Sequence, residues 1–268
     1  MAFAIDDLAS VLGHWSADDI TGLSDGDAVS TWIGSVGGNL TGVTTTRPLW
    51  RPTGIDSQPS VQFDGTDDVM SSAGITIDGQ LAVAVVTSCD ALKNYNGAYN
   101  IHSTTTPTYP PKFGGSMQYG NGTILFGNAP VSQHNYITNS AVVSATVPIL
   151  TVYGVGDITT LIQVDGKHYG AASSAGDSVR TSATGTGYVH LGTNAFSGSW
   201  FDGHIAEIVV FHVSVVATEW LYIEAVLAHK YGITLPSSHP FNAAPPTSGP
   251  PSAGGGIQIA RGMSGGMR

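Results

Sequence analysis

With charged residues at only 10% of the chain, its chemistry has to come from few side chains, and the glutamates come first. There are three, Glu207, Glu219 and Glu224. Hydrolysis of a glycosidic bond needs two carboxylates flanking it, about 5–9.5 Å apart depending on mechanism. Glu219 and Glu224 fall in a stretch with helical periodicity and Glu207 in an extended one, so the glutamates form no hydrolytic pair along one strand. Glu207 is therefore read as a hydrogen-bonding acid at a strand edge or in the interior. Aspartate pairs stay open, so the expectation is a non-enzymatic chain, with an unrecognised glycoside hydrolase as the alternative.

Asp64, Asp67 and Asp68, in Phe-Asp-Gly-Thr-Asp-Asp, offer oxygen ligands to Ca²⁺, which takes six to eight of them. The same spacing is turn chemistry, in which Asp side chains bond their own backbone. The turn is the favoured reading, and Asp25 and Asp27 around Gly26 are read the same way. Nine histidines are scattered without the His-x-x-x-His or Glu-x-x-His spacing of a zinc site, so structural roles are expected for them. No cofactor is expected beyond this candidate calcium ion. The single Cys89 excludes an intramolecular disulfide, and its apolar surroundings suggest a buried, inert thiol.

The best ligand candidate lies in residues 94–119, much of it in a polar stretch, 90–115, that is too long for a routine connection. Tyr95, Tyr99, Tyr109 and Tyr119 supply flat amphipathic rings, and Asn96 and Asn100, with Asn94, supply amides. Rings that stack beside amides that hydrogen-bond suit a neutral sugar, and they suit a protein interface equally.

These groups need a scaffold, and Trp200 to Ile233 shows its nature. Ile205, Ile208, Val209, Val210 and Phe211 are β-branched or aromatic and follow an Asp-Gly turn signal, which makes a strand. Trp220, Ile223, Leu227 and Tyr231 then recur at helical spacing, and Gly232 stands where a helix stops. Such a helix needs a large apolar surface to lie on. Upstream, Leu12–Trp15, Ser60–Asp64, Leu81–Thr87 and Val147–Val155 read as strands, and the prolines of Arg47–Pro52 limit that segment to a sheet edge. Asp165-Gly166 between two apolar runs marks a hairpin. About a dozen short strands and one helix predict an all-β fold, a two-sheet antiparallel jelly-roll sandwich with one C-terminal helix packed on it.

Three segments follow: an arm at residues 1–11, the jelly roll at 12–235, and a Pro/Gly-rich extended tail at 236–268. The tail holds two basic residues, Arg261 and Arg268, and no acid, whereas residues 1–235 hold seven basic against nineteen acidic residues. A basic tail on an acidic body suggests docking, onto the same chain or a neighbouring copy. The net charge of −10 argues against a nucleic-acid partner. No run approaches the ~20 apolar residues of a membrane helix, and the N-terminus lacks the basic and apolar regions of a secretory signal.

Trp15-Ser-Ala-Asp-Asp-Ile-Thr-Gly-Leu-Ser-Asp-Gly-Asp-Ala-Val-Ser-Thr-Trp32, Arg47-Pro, Pro59-Ser-Val-Gln-Phe-Asp-Gly-Thr-Asp-Asp68 and the Gly203–Ile233 stretch together resemble the laminin-G-like, concanavalin A-like jelly-roll domains. Such domains are common in phage virion proteins and bacterial surface proteins. The resemblance spans about residues 12–235 and implies a sandwich whose concave face and rim loops often bind glycans, sometimes with calcium. The hydrolases of this fold carry a strand resembling Glu-x-Asp-x-x-Glu, which this chain lacks. The loop Ile33–Gly42 lacks the acidic character common in the family. The resemblance implies a capsid-decoration or tail-associated protein with glycan or cell-surface recognition, partnered by other virion or surface subunits or by further copies of itself. Its location would be the virion, with the bacterial surface as the alternative. A lectin-like surface adhesin is the second reading.

Overall fold

The computed structural model describes residues 3–79, 81–90, 96–102, 116–120, 123–128, 133–137, 146–155, 160–165, 167–168, 183–193, 200–212 and 219–250. Tyr95, Tyr109, Arg261 and Arg268 lie outside the described residues. In chain order the strands are β1 (Val11–Ser16), β2 (Thr31–Trp32), β3 (Leu40–Gly42), β4 (Leu49–Ile55), β5 (Gln58–Asp64), β6 (Met70–Ser72), β7 (Ile75–Gly79), β8 (Leu81–Cys89) and β9 (Asn96–His102). They continue as β10 (Ser116–Gly120), β11 (Thr123–Asn128), β12 (Gln133–Ile137), β13 (Ile149–Val155), β14 (Thr160–Val164), β15 (Lys167–His168), β16 (Ala183–Leu191) and β17 (Asp202–His212), and the helix α1 (Glu219–Lys230) follows.

Two antiparallel sheets result. The first runs β15-β14-β13-β8-β17-β5-β4, with β1 also paired to β17; the second runs β12-β11-β10-β9-β16-β6-β3-β2, with β7 also paired to β16. Between them lies a core that includes Trp15, Trp32, Leu40, Phe63, Met70 and Tyr99, each fully buried. The outer face of the first sheet meets a second core, where Ala84, Val86, Val209 and Phe211 pack with Ile223, Leu227 and Tyr231 of the helix. This double covering explains the uninterrupted apolar runs of β8 and β17: a strand buried on both faces has no polar side to display. Trp220 is only half-buried, at the margin of the helical stripe, while Glu219 and Glu224 lie on the buried side.

Local chemistry fixes the joints. Gly232 takes φ +64° just past the helix, and the Ile233 amide donates to the Ala228 carbonyl at 2.8 Å, closing the helix with a left-handed cap. The β4–β5 hairpin turns on Asp56 and Ser57, both with positive φ, a two-residue turn built without glycine. At the predicted Asp-Gly hairpin, Asp165 likewise takes positive φ. β4 is an edge strand, as its prolines require.

Beyond the helix the chain turns back over α1. His239 Nε2 stands 3.2 Å from the buried Glu224 carboxyl group, and His229 Nε2 donates to the Phe241 carbonyl at 2.7 Å. Phe241 and Phe3 flank Tyr222, with ring centroids 4.7 and 5.8 Å away. The first part of the Pro/Gly-rich segment is thus seated on its own chain, held by ring contacts and by its two histidine contacts rather than by secondary structure. Among the described residues, no helix is long and apolar enough to cross a membrane.

Candidate functional site

The structure divides the predicted Tyr/Asn set. Residues 96–102, expected as part of a long loop, form β9 instead, hydrogen-bonded to β10 on one side and β16 on the other. Strand alternation then sends neighbours to opposite faces. Tyr99 and Ile101 enter the core between the sheets, so the Tyr99 ring is not offered to a ligand as the sequence reading expected. Asn100 faces the other way. Asn96 and Tyr119 sit opposite each other in the β9–β10 pair.

Register places Asn100 in a polar row on the outer face of the second sheet. Asn100 is opposite His190, His190 opposite Ser71, Ser71 opposite Thr41, and Thr41 opposite Thr31. His190 Nδ1 and Ser71 Oγ are 2.8 Å apart, a hydrogen bond across β16 and β6. His102 and Tyr188 form the adjacent pair. The row is graded in exposure: Thr31 and Thr41 are open, Ser71 is half-buried, and His190 and Asn100 are fully buried. Neither the oxygen nor the nitrogen of the Asn100 amide has a hydrogen-bond partner among the described residues. Leaving a buried polar group unmatched costs about 1–3 kcal/mol, so such a group in a native fold asks for a function. Sequence reasoning reached Asn100 but missed His190 and Ser71. Each sits in an ordinary strand, and only register brings them together.

The acidic turn does what turn chemistry predicts. Asp64 Oδ1 accepts from the amides of Thr66 at 2.8 Å and Asp67 at 3.4 Å, and Asp68 Oδ2 accepts from the Asp64 amide at 2.9 Å. A ligand oxygen from each of the three carboxylates also lies within 4.8 Å of the others, close enough to share one cation. Burial, followed by the charges of Asp64 and Asp67, pushes the Asp68 carboxyl up to about 6 against the pull of its amide bond. Three carboxylates supply about half of the six to eight oxygens Ca²⁺ takes, so the donor set fits a calcium ion completed by backbone or water oxygens.

Two further polar clusters are built into the first sheet. A β-bulge between Ile205 and Glu207 breaks the alternation of β17 and takes Glu207 off the face that Ile205, Ile208 and Val210 turn to the inter-sheet core, leaving it buried at the end of β1. Its Oε1 meets His14 Nε2 at 2.7 Å, and its Oε2 accepts from Lys230 at 2.5 Å, Tyr231 at 2.9 Å and Ser16 at 3.3 Å. Lys230 also pairs with Asp18 at 2.7 Å, and His14 Nδ1 with Asp6 at 2.5 Å. Burial opposes the charge on Glu207, but His14 and Lys230 outweigh it and hold the carboxyl below its usual range. With both oxygens engaged and four donors converging on them, Glu207 is placed as a cross-link between β1, β17 and the end of the helix. Alongside, Ser60 Oγ stands 2.8 Å from His204 Nδ1, and His204 Nε2 stands 3.4 Å from Asp90. The order suggests an activated serine, yet Ser60 is fully buried, and a Cβ at Gly54 would fall 1.8 Å from its Oγ. Packed beneath that backbone, Ser60 holds the sheet together.

Fold and site together define the molecule as a two-sheet antiparallel β-sandwich, sealed by a helix on one face and carrying a polar row on the other. No protein-family model matches the chain, and no curated protein matches it. Solved structures do. Trypanosoma rangeli sialidase in complex with 2,3-difluorosialic acid is 10% identical, with a TM-score of 0.48 over 79% of this chain and 33% of the sialidase. Domain 4 of AbnA, a GH43 extracellular arabinanase from Geobacillus stearothermophilus, in complex with arabinotriose, is 14% identical, with a TM-score of 0.43 over 76% of this chain and 92% of that domain. The receptor binding domain of botulinum neurotoxin D is 10% identical, with a TM-score of 0.49 over 78% of this chain and 50% of that one. The chain thus spans a third of the sialidase and half of the toxin domain. These matches correct the non-enzymatic expectation, because a sialidase and an arabinanase domain stand among the similar structures. That expectation rested on carboxylates missing from a single strand, and carboxylates supplied by separate segments leave no such signature.

Proposed function

We propose that this sandwich is a recognition module of a larger assembly and that it reads neutral glycans through the outer face of its second sheet. The observation that carries the proposal is the polar row itself, open at Thr31 and Thr41, half-buried at Ser71 and leading to the buried Asn100, whose amide has no hydrogen-bond partner among the described residues. A sugar hydroxyl both donates and accepts, so one hydroxyl pair matches the amide oxygen and nitrogen at once. The hydroxyl and imidazole groups beside it extend the same pattern of donors and acceptors. On the first sheet, the helix and its apolar side chains cover the outer face of β8 and β17 around Ala84, Val86, Val209 and Phe211. The setting we favour is a virion, as a capsid-decoration or tail-associated protein, with a bacterial surface as the second. Calcium at Asp64, Asp67 and Asp68 would stiffen the rim of the sandwich.

The test is a glycan array with the full chain beside Asn100→Ala and His190→Ala. Binding of neutral oligosaccharides, weakened at least tenfold in Asn100→Ala with the fold intact by circular dichroism, is the expected result. Glycan binding that survives both substitutions, or no glycan bound by the wild type, overturns the proposal.

A further inference from the structure

A cavity of about 320 Å³ lies where the N-terminal arm, the first turn of α1 and residues 247–250 meet. Its walls include Phe3, Asp7, Glu219, Thr247, Ser248 and Pro250. Two of its lining residues are carboxylates, and among the described residues no lysine, arginine or histidine lines it. Glu219 is only 7% exposed. One of its oxygens accepts from the Ser10 hydroxyl, and the other has no partner among the described residues. Asp7 accepts the Ala4 amide at 3.3 Å and is otherwise turned to solvent. A carboxylate that is buried except for the oxygen left free of Ser10, a second carboxylate nearby and no cationic side chain among the described lining residues give this cavity a negative charge.

The charge and the shape point to one kind of occupant. Phe3 sets an aromatic ring beside the two carboxylates, and an aromatic face attracts a cation. A guanidinium suits this combination better than an ammonium. Its planar fork bonds a carboxylate through two N–H groups, its face stacks on a ring, and it gives up water more readily. We propose that this cavity is a receptor for a guanidinium group. The chain itself offers one source. Pro250 is part of the wall, and the eighteen residues that follow carry Arg261 and Arg268 and no acid. The other source is an arginine presented by a different molecule.

Titration calorimetry with Nα-acetyl-arginine amide tests the site on the full chain and on an Arg261→Ala/Arg268→Ala variant. Saturable binding to the double variant, at least tenfold weaker in Glu219→Gln and severalfold weaker for Nα-acetyl-lysine amide, is expected. If Glu219→Gln proves unstable, Asp7→Asn and Phe3→Leu carry the same expectation of a severalfold loss. Tighter binding to the double variant than to the wild type supports the site with the chain's own arginine as its occupant. Equal binding supports the site with an arginine from elsewhere. No saturable binding to the double variant, or binding that Glu219, Asp7 and Phe3 substitutions all leave unchanged, overturns the proposal.

Discussion

Replacing Glu207 by alanine removes one acceptor from four donors at once. His14, Lys230, Tyr231 and Ser16 all converge on its two oxygens, in a place where only 3% of the Glu207 side chain meets solvent. Lys230 keeps Asp18, and its side chain is about a quarter exposed, so its charge is not stranded. His14 keeps Asp6, but its side chain is only 11% exposed. The loss therefore falls on the histidine and the tyrosine hydroxyl. Breaking a buried ion pair by removing one partner costs about 3–5 kcal/mol. For a chain of this size each kcal/mol lowers the melting temperature by about 2–4 °C, so Glu207→Ala should melt about 6–20 °C below the wild type. Glu207→Gln, which keeps the shape and part of the bonding, should lose about 1–3 kcal/mol. The pH dependence separates a charge effect from simple packing. Burial opposes charging His14, but Glu207 and Asp6 outweigh it and hold its pKa above 6.5. A raised histidine contributes stability that is complete below its unfolded value and disappears as pH rises through the folded one. Glu207 is lowered from 4.5, so its share is present above that value and is lost as pH falls through the folded one. Urea unfolding, followed by the fluorescence of the fully buried Trp15 and Trp32, reads this directly from pH 5.5 to 8.5. Wild-type stability should decline across that window, and the decline should be smaller in Glu207→Gln. A Glu207→Ala protein melting within 2 °C of the wild type, with the same pH slope, would refute the reasoning.

Two other outcomes follow from the same geometry. Gly232→Ala forces a side chain into φ +64° and sets its Cβ 2.1 Å from Asp56 Oδ2, so a loss of about 1–2 kcal/mol is expected in urea unfolding, whereas an unchanged midpoint would deny that the helix cap matters. Millimolar CaCl₂ should raise the melting temperature at pH 7.5 and do so less at pH 5, where Asp68, pushed up to about 6, holds a proton in place of the cation; Asp68→Asn should abolish the shift, and a wild type indifferent to calcium would remove the ion from the acidic turn.

What could be read from the amino-acid order, and what could not, divides along one physical line. Signals carried by consecutive residues survived folding. The apolar run of β8, the Ile223 and Leu227 part of the helical stripe, the glycine after the helix and the Asp165 turn each encode their conformation within a few positions, and each is found where it was expected. Signals that depend on pairing between distant strands were invisible. Tyr99 and Asn100 look like two equivalent members of a polar loop, but once β9 pairs with β16 they differ by one step of a strand, and that step separates core from outer face. The neighbours of Asn100 along the row come from residues 190 and, one strand further, 71, and sequence alone holds nothing that would set them in line. Glu207 shows the same limit in another form. A strict alternation from Ile205 would align it with the inner residues 205, 207 and 209, yet the bulge shifts the inner set to Ile205, Ile208 and Val210 and frees Glu207 to meet four donors. A bulge adds one residue without leaving a compositional mark, so the phase of everything after it has to be seen in the register. The polar row and the Glu207 cross-link are both products of register. A sequence that slipped by one residue in β16 would keep its composition, its strand pattern and its acidic turn, and would lose the row, because His190 would point into the core and Val189 would take its place beside Asn100.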